Sequence, residues 1–274
     1  MGNTKFTILD FARKKNSGEK ISVLTAYDFP IASLAEKAGI DSVLVGDSLG
    51  MVALGLDTTL PVTMDEMIHH AKAVRRGVKN AFLIGDMPFL SYQTSDSDAI
   101  FNAGRFMKEA GCEAVKIEGT GGIIPRVEAI VSVGIPVMGH IGLTPQRVSM
   151  LGGYKVQGKD DISAQKLFQD AVDLEKAGCF SVVLECVPKD LADKITKKLK
   201  IPTIGIGAGY HCDGQVLVAN DMIGYYDKFT PSFVKKYADI GPIILEAFKN
   251  FRIETEKGIF PDESHSYNSN QKNS

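Results

Sequence analysis

Short runs of β-branched and other apolar residues alternate along the chain with amphipathic stretches of helical period. Eight such runs predict strands: Ile21–Asp28, Ser42–Ser48, Ala81–Pro88, Ala114–Gly119, Pro136–Leu143, Ser181–Val187, Pro202–Gly209 and Gln215–Asp221. Most are apolar almost throughout, the pattern of parallel strands covered on both faces. Between them, Met64–Arg76 follows Thr63 with Glu66 three residues on, which predicts a capping box. Ser97–Ala110 runs into Gly111 and Ala164–Ala177 into Gly178, where a helix stop belongs. Weaker helical patterns cover Ile31–Ala38, Pro125–Val133 and Lys189–Leu199, and their place in the alternation supports them.

A βα repeat with eight strands favours a closed (β/α)8 TIM barrel over an open doubly wound sheet. The eighth strand follows the seventh after only Tyr210–Gly214, too short for a crossover helix. Gly50–Val62 and Val148–Asp161 interrupt the repeat as long glycine-containing loops after strands two and five. No internal boundary is visible, so residues 1–262 are expected to form one catalytic domain and 263–274 a disordered polar tail.

Composition narrows the function classes. With 274 residues, 44% hydrophobic and 23% charged, the chain can bury a large core. A net charge of −2 gives no electrostatic case for nucleic acid or an anionic membrane. The N-terminus has no apolar signal stretch, and no apolar run approaches the ~20 residues of a membrane span. Cys112, Cys179, Cys186 and Cys212 form no CxxC pair and read as reduced thiols, so a cytoplasmic protein is expected.

The polar residues sit at the strand ends, where barrel enzymes carry their chemistry. Strand one ends in Tyr27-Asp28, strand two in Asp47-Ser48 and strand three in Asp86; strand four carries Lys116 and Glu118, strand five His140 and strand six Glu185. Asp47, Asp86 and Glu118, without Cys or His at the same strand ends, suit a hard cation such as Mg2+; helix caps or solvated strand ends are the bland alternative. Lys116 and Glu118 are two apart and share a face, so Lys116 either pairs with Glu118 or binds a substrate carboxylate. His140 is a hydrogen-bonded core residue or a site residue. Glu185 is the one charge in an apolar run, a setting that raises a carboxylate's affinity for protons and suits a general base; a buried ion pair is the alternative. The run Gly205-Ile206-Gly207-Ala208-Gly209 lacks the third glycine of a dinucleotide fingerprint, since Tyr210 stands there; it is a tight turn or a backbone approach to a ligand.

Longer strings carry a resemblance. From about Lys20 to Pro261 the chain resembles the ketopantoate hydroxymethyltransferase family. The carrying stretches are Val45-Gly46-Asp47-Ser48-Leu49-Gly50-Met51, Thr59-Leu60-Pro61-Val62-Thr63, Val115-Lys116-Ile117-Glu118-Gly119, Gly139-His140-Ile141-Gly142-Leu143-Thr144-Pro145-Gln146, Gly152-Gly153-Tyr154-Lys155-Val156-Gln157-Gly158 and Leu184-Glu185-Cys186-Val187-Pro188. The resemblance implies metal-site carboxylates at Asp47, Asp86 and Glu118, some acting through water. It implies a 2-oxo acid site at Asp47, Ser48, Asp86 and Lys116, with His140 lining it, and Glu185 as proton acceptor. It further implies Mg2+ or another divalent cation, 3-methyl-2-oxobutanoate as substrate, 5,10-methylenetetrahydrofolate as co-substrate, 2-dehydropantoate as product, and a homo-oligomer, in similar enzymes a decamer. Two other readings compete: a Mg2+-dependent 2-oxo acid barrel of the phosphoenolpyruvate mutase/isocitrate lyase type, and a non-catalytic scaffold. The first lacks its nucleophilic Cys loop here, and the second predicts loss of carboxylates that are all present.

Overall fold

A computed structural model describes residues 5–151, 153 and 155–267 of the chain. The described chain divides into two compact units, Met1–Ala219 and Asn220–Ser274, where the composition shows no boundary. The first unit contains the strands of the barrel. Helix α1 (Ile8–Ser17) leads into β1 (Ile21–Thr25), α2 (Phe29–Lys37), β2 (Ser42–Val45), α3 (Leu49–Val52), α4 (Met64–Gly77), β3 (Phe82–Asp86), α5 (Asp96–Ala110) and β4 (Ala114–Glu118). Then come α6 (Ile124–Ser132), β5 (Val137–Gly142), α7 (Val148–Leu151), α8 (Asp161–Lys176), β6 (Ser181–Glu185), α9 (Lys189–Lys198), β7 (Thr203–Ile206) and β8 (Gly214–Leu217). The strands close in sequence order, all parallel, with β8 pairing back onto β1. A short α10 (Ala219–Met222) follows, and the second unit carries α11 (Ile240–Glu256).

The expected eight strands are present but shorter than their apolar runs, because the ladder stops where the chain turns into the βα loops. Strand two ends at Val45, leaving Asp47 and Ser48 just beyond it. Strand eight is Gly214–Leu217 rather than Gln215–Asp221, and Asp221 lies in α10. No helix separates β7 from β8, so Gly207 (φ 63°) and Gly209 (φ 82°) reverse the chain, and the Gln215 amide donates to Gly209 O. The glycine run is thus a tight turn. The capping box at Thr63/Glu66 forms as the spacing predicts. Asp28 is the exposed N-cap of α2, accepting from Ile31 N–H, not a residue of the barrel mouth. Helices α3 and α7 lie within the two expected loops; Gly152 and Tyr154 of the second lie outside the described residues, as do 268–274 of the tail. Ahead of those, Glu263–His265 forms an ordered turn capped by the Asp262 carboxylate.

Helices α1 and α11 have no counterpart in the sequence reading. For α1 the reason is its single buried side chain: Phe11 is fully buried, whereas the apolar Ile8 and Leu9 stay exposed and the C-terminal half is charged, so only a short apolar pattern marks the helix. Phe11 packs with Phe82, Ile21, Ile84, Ile204 and Val216 in the barrel core, edge-on to Phe6, Phe82 and Phe180 at centroid distances of 5.3, 5.5 and 5.2 Å. Lys14 and Lys15 then clamp the helix, reaching Asp41 at 2.6 Å and Asp213 at 2.7 Å. Each carboxylate also accepts a strand N–H, from Ser22 and Thr203.

Because Phe11 fills the N-terminal side of the core, Phe11→Ala is expected to destabilise the protein by roughly 3–5 kcal/mol. Denaturant unfolding monitored by far-ultraviolet circular dichroism checks this. A midpoint equal to wild type would show that the aromatic cluster contributes nothing net.

Candidate active site

Inward-facing positions recur every second residue along a strand. Ile84, Ala114, Met138 and Val183 all belong to the apolar core cluster. Two residues further on, at the C-terminal side of the same faces, stand Asp86, Lys116, His140 and Glu185, and Glu118 follows two beyond Lys116. The sheet register sets Asp86 beside Lys116 and Glu118 beside His140. A charged layer therefore lies directly on an apolar one. Asp47, Asp86, Lys116, Glu118 and His140 are all buried, whereas the Glu185 side chain stays 16% exposed.

Lys116 is the hub of this layer. Its Nζ lies 2.9 Å from Asp86 Oδ1, 3.4 Å from Glu118 Oε1 and 3.2 Å from His140 Nδ1. His140 Nδ1 is also 3.1 Å from Glu118 Oε1, while its Nε2 faces Glu185 Oε2 at 3.2 Å. Glu185 is thus paired rather than isolated in apolar surroundings. Asp47 N–H donates to Asp86 Oδ2 at 3.0 Å, tying the end of β2 to β3. Ser48 Oγ is 2.8 Å from the Tyr27 hydroxyl. The structure brings all the expected site residues to one barrel mouth, apart from Asp28.

Two further residues organise it. Gln146 Nε2 donates to Asp47 Oδ2 and to Met87 O, both at 2.9 Å, and its main-chain N–H donates to Glu118 Oε2 at 3.1 Å. The fully buried Tyr92 accepts from Glu118 N–H, and its hydroxyl lies 2.9 Å from Gln146 Oε1. Both come from βα loops, where Tyr and Gln carry no periodicity to mark them. Gln146 falls inside the resembling stretch, but no charge singles it out; Tyr92 has no signal in the sequence.

The electrostatics follow from burying three carboxylates around one lysine. Burial first, and then Asp86 and Glu118, push the Asp47 carboxyl well above its ordinary range. Burial also raises Asp86, against the pull of Lys116. Burial would raise Glu118 too, but Lys116 and His140 outweigh it and hold that carboxyl down to about 2. Burial and Lys116 oppose a charged His140, yet Glu118 and Glu185 hold its proton, to about 9. Asp86, Glu118 and Asp47 likewise outweigh burial at Lys116 and keep it protonated.

This donor set fits a hard divalent cation. Two adjacent buried carboxylates, Asp47 and Asp86, meet at the mouth with excess negative charge, and buried Asp86 Oδ1 makes no aligned hydrogen bond despite its closeness to Lys116. Glu118 has both oxygens engaged, by Lys116 and His140 on one side and Gln146 N–H on the other. Among the described residues no three His, Cys, Asp or Glu groups form a closed metal cage. Mg2+ asks for less: one or two carboxylates plus waters and substrate oxygens.

Comparison with known proteins places this geometry. Among solved structures, the fold matches a phosphonopyruvate hydrolase crystallised with oxalate and Mg2+ at TM-score 0.63 and 12% identity, covering 96% of this chain and 92% of that one. It matches a 2,3-dimethylmalate lyase of the PEP mutase/isocitrate lyase superfamily at TM-score 0.60 and 14% identity, covering 94% and 91%. At such identities the likeness concerns the barrel alone. Sequence goes further: the 3-methyl-2-oxobutanoate hydroxymethyltransferase of Clostridium novyi (strain NT) is 55% identical over 263 residues, 96% of each chain. The family model for ketopantoate hydroxymethyltransferase matches residues 5–263, and the chain belongs to that family.

Proposed function

We propose that the protein transfers a one-carbon unit from 5,10-methylenetetrahydrofolate to C3 of 3-methyl-2-oxobutanoate, consuming one water and giving 2-dehydropantoate and tetrahydrofolate. The observation that carries this reading is the pairing, at one mouth, of a buried Lys116–Asp86–Asp47 group with the partly exposed Glu185. The first can receive the charged end of a 2-oxo acid, and the second can take its proton.

In this reading Lys116 and Ser48 bind the substrate carboxylate and keto oxygen. A divalent cation such as Mg2+ would be held by Asp47 and Asp86, with Glu118 behind them, and when bound supplies Lewis-acid polarisation of the carbonyl. Glu185 removes the C3 proton, which is acidic because it is α to the keto carbon. The C–H electron pair moves into a C2–C3 double bond. Water releases the one-carbon unit from both folate nitrogens as formaldehyde, and C3 then attacks it. The resulting alkoxide takes a proton, leaving a hydroxymethyl group on C3 and free tetrahydrofolate. His140, held protonated between Glu118 and Glu185, pairs its charge with the Glu185 carboxylate across 3.2 Å at Nε2. Gln146 keeps Asp47 and Glu118 in register, since each of its donors is committed to one acceptor.

The same reading places the enzyme in the cytoplasm as a homo-oligomer. Its four thiols are unpaired, and no helix among the described residues is long and apolar enough to cross a membrane. Helix α11 leaves Ile243, Leu245, Phe248 and Phe251 more than half exposed, as a subunit interface would need.

Two outcomes test the chemistry. In D2O with Mg2+, wild type is expected to exchange the C3 proton of 3-methyl-2-oxobutanoate, as read by NMR. Chelator should abolish the exchange, and Glu185→Gln should slow it by about 100-fold or more. Full exchange in Glu185→Gln would transfer the base role to His140, and inactivity of folded, Mg2+-loaded wild type would sink the assignment. Gln146→Leu is expected to raise the Mg2+ concentration for half-maximal activity on the order of 10- to 100-fold, as loss of a residue orienting a ligand does. An unchanged Mg2+ dependence would limit Gln146 to a role in folding.

A further inference from the structure

On the outer side of the barrel wall from the charged layer, between the C-terminal ends of β4 and β5 and helix α8, lies a cavity of about 260 Å³ that contains none of the residues assigned above. It begins where the site ends. Gly119 follows Glu118 directly, and Gly142 stands opposite Glu185 in the sheet register. Neighbouring strands lie about 4.8 Å apart, so one edge of the cavity is a single strand spacing from the backbone of the proposed base. Gly142 is at φ +94°, and a Cβ there would come within 2.2 Å of Glu185 O, so this edge admits no side chain.

The cavity has an apolar wall and a cationic rim. Ile141 and Leu167 form the wall, and Thr144 lines it, while the Ser163 hydroxyl is held by Asp160. On the rim, Lys166 is bound to Asp170 at 2.8 Å, which offsets its charge. Arg147 has no acidic partner among the described residues; its guanidinium contact is Met150 Sδ at 3.9 Å. The cavity therefore carries one uncompensated, planar cation beside an apolar slot. That combination suits an aromatic ring ending in a carboxylate.

We infer that this cavity is the subsite for the aminobenzoyl-glutamate end of the folate donor, with Arg147 pairing with a glutamate carboxylate and Ile141 and Leu167 flanking the ring. The assignment rests on the one-carbon transfer proposed above. It sets the reactive end of the donor toward the mouth and the charged end toward solvent. No covalent step takes place in the cavity itself.

The test compares 5,10-methylenetetrahydrofolate with the primary amide of 5,10-methylenetetrahydropteroate, which keeps the rings but carries neither the glutamate nor a free benzoate carboxylate. In wild type, removal of the glutamate is expected to raise KM for the donor on the order of 10- to 100-fold, the range for a charge-assisted bond. In Arg147→Gln the two donors should become equivalent, both with the high KM. Lys166→Gln, which leaves Asp170 uncompensated, should weaken the glutamate-bearing donor selectively. Folate-free C3 exchange by each variant reports an intact fold and oxo acid site separately. Exchange and transfer by wild type, with the same glutamate preference in Arg147→Gln as in wild type, would overturn the subsite. So would a wild type indifferent to the glutamate. Absence of both exchange and transfer in wild type would instead overturn the reaction on which the subsite rests.

Discussion

Lys116 is buried among Asp86, Glu118 and His140, and the rest of the site is arranged around that one desolvated charge. A lysine taken out of water in an apolar barrel is unfavourable unless carboxylates surround it. Burial, and after it the repulsion from Asp86 and Glu118, drives Asp47 toward its protonated form. The cluster as a whole holds more acid than base, and this imbalance makes it receptive to a divalent cation and to a ligand that brings its own oxygens. Stability and receptivity pull against each other here. A fully neutralised cluster would be a better core and a poorer site.

The apolar half of the barrel makes this imbalance tolerable. Phe11, entering from α1, joins Phe82, Ile84, Met138 and Val183 to fill the N-terminal layers, so the charged layer rests on a dry, packed base. The Lys14–Asp41 and Lys15–Asp213 pairs anchor that plug to the strand ends. From above, Gln146 and Tyr92 hold the carboxylates from the loops. The functional groups are thereby fixed from both sides: rotamers below by packing, orientations above by hydrogen bonds with few alternative partners.

The barrel likeness to phosphonopyruvate hydrolase and dimethylmalate lyase illustrates how little a fold decides by itself. An eight-stranded parallel barrel offers any chemistry a ring of strand ends. The differences reside in which inward positions are charged and which loops cover them. In this chain a glutamate at the end of β6 faces a histidine on β5, and a loop glutamine bridges the ends of two strands.

The strand order and the gathering of Asp47, Asp86, Lys116, Glu118, His140 and Glu185 at one mouth were legible in the sequence. Eight apolar runs in a regular βα repeat leave one way to close the sheet, and closure carries every strand end to the same mouth. Where the alternation gave way to loops, the sequence fell silent. It did not mark α1, whose one buried ring is a tertiary contact, nor Tyr92 and Gln146, whose roles exist only once the barrel brings the ends of β2, β4 and β5 to one mouth. It misassigned Asp28, a local helix cap, to the mouth. It could not give Lys116 its partners Asp86 and His140, nor Glu185 its partner His140. Only the tertiary structure decided these, because hydrogen-bond partners and desolvation depend on residues far apart in the chain, which no local pattern of apolar and polar positions encodes.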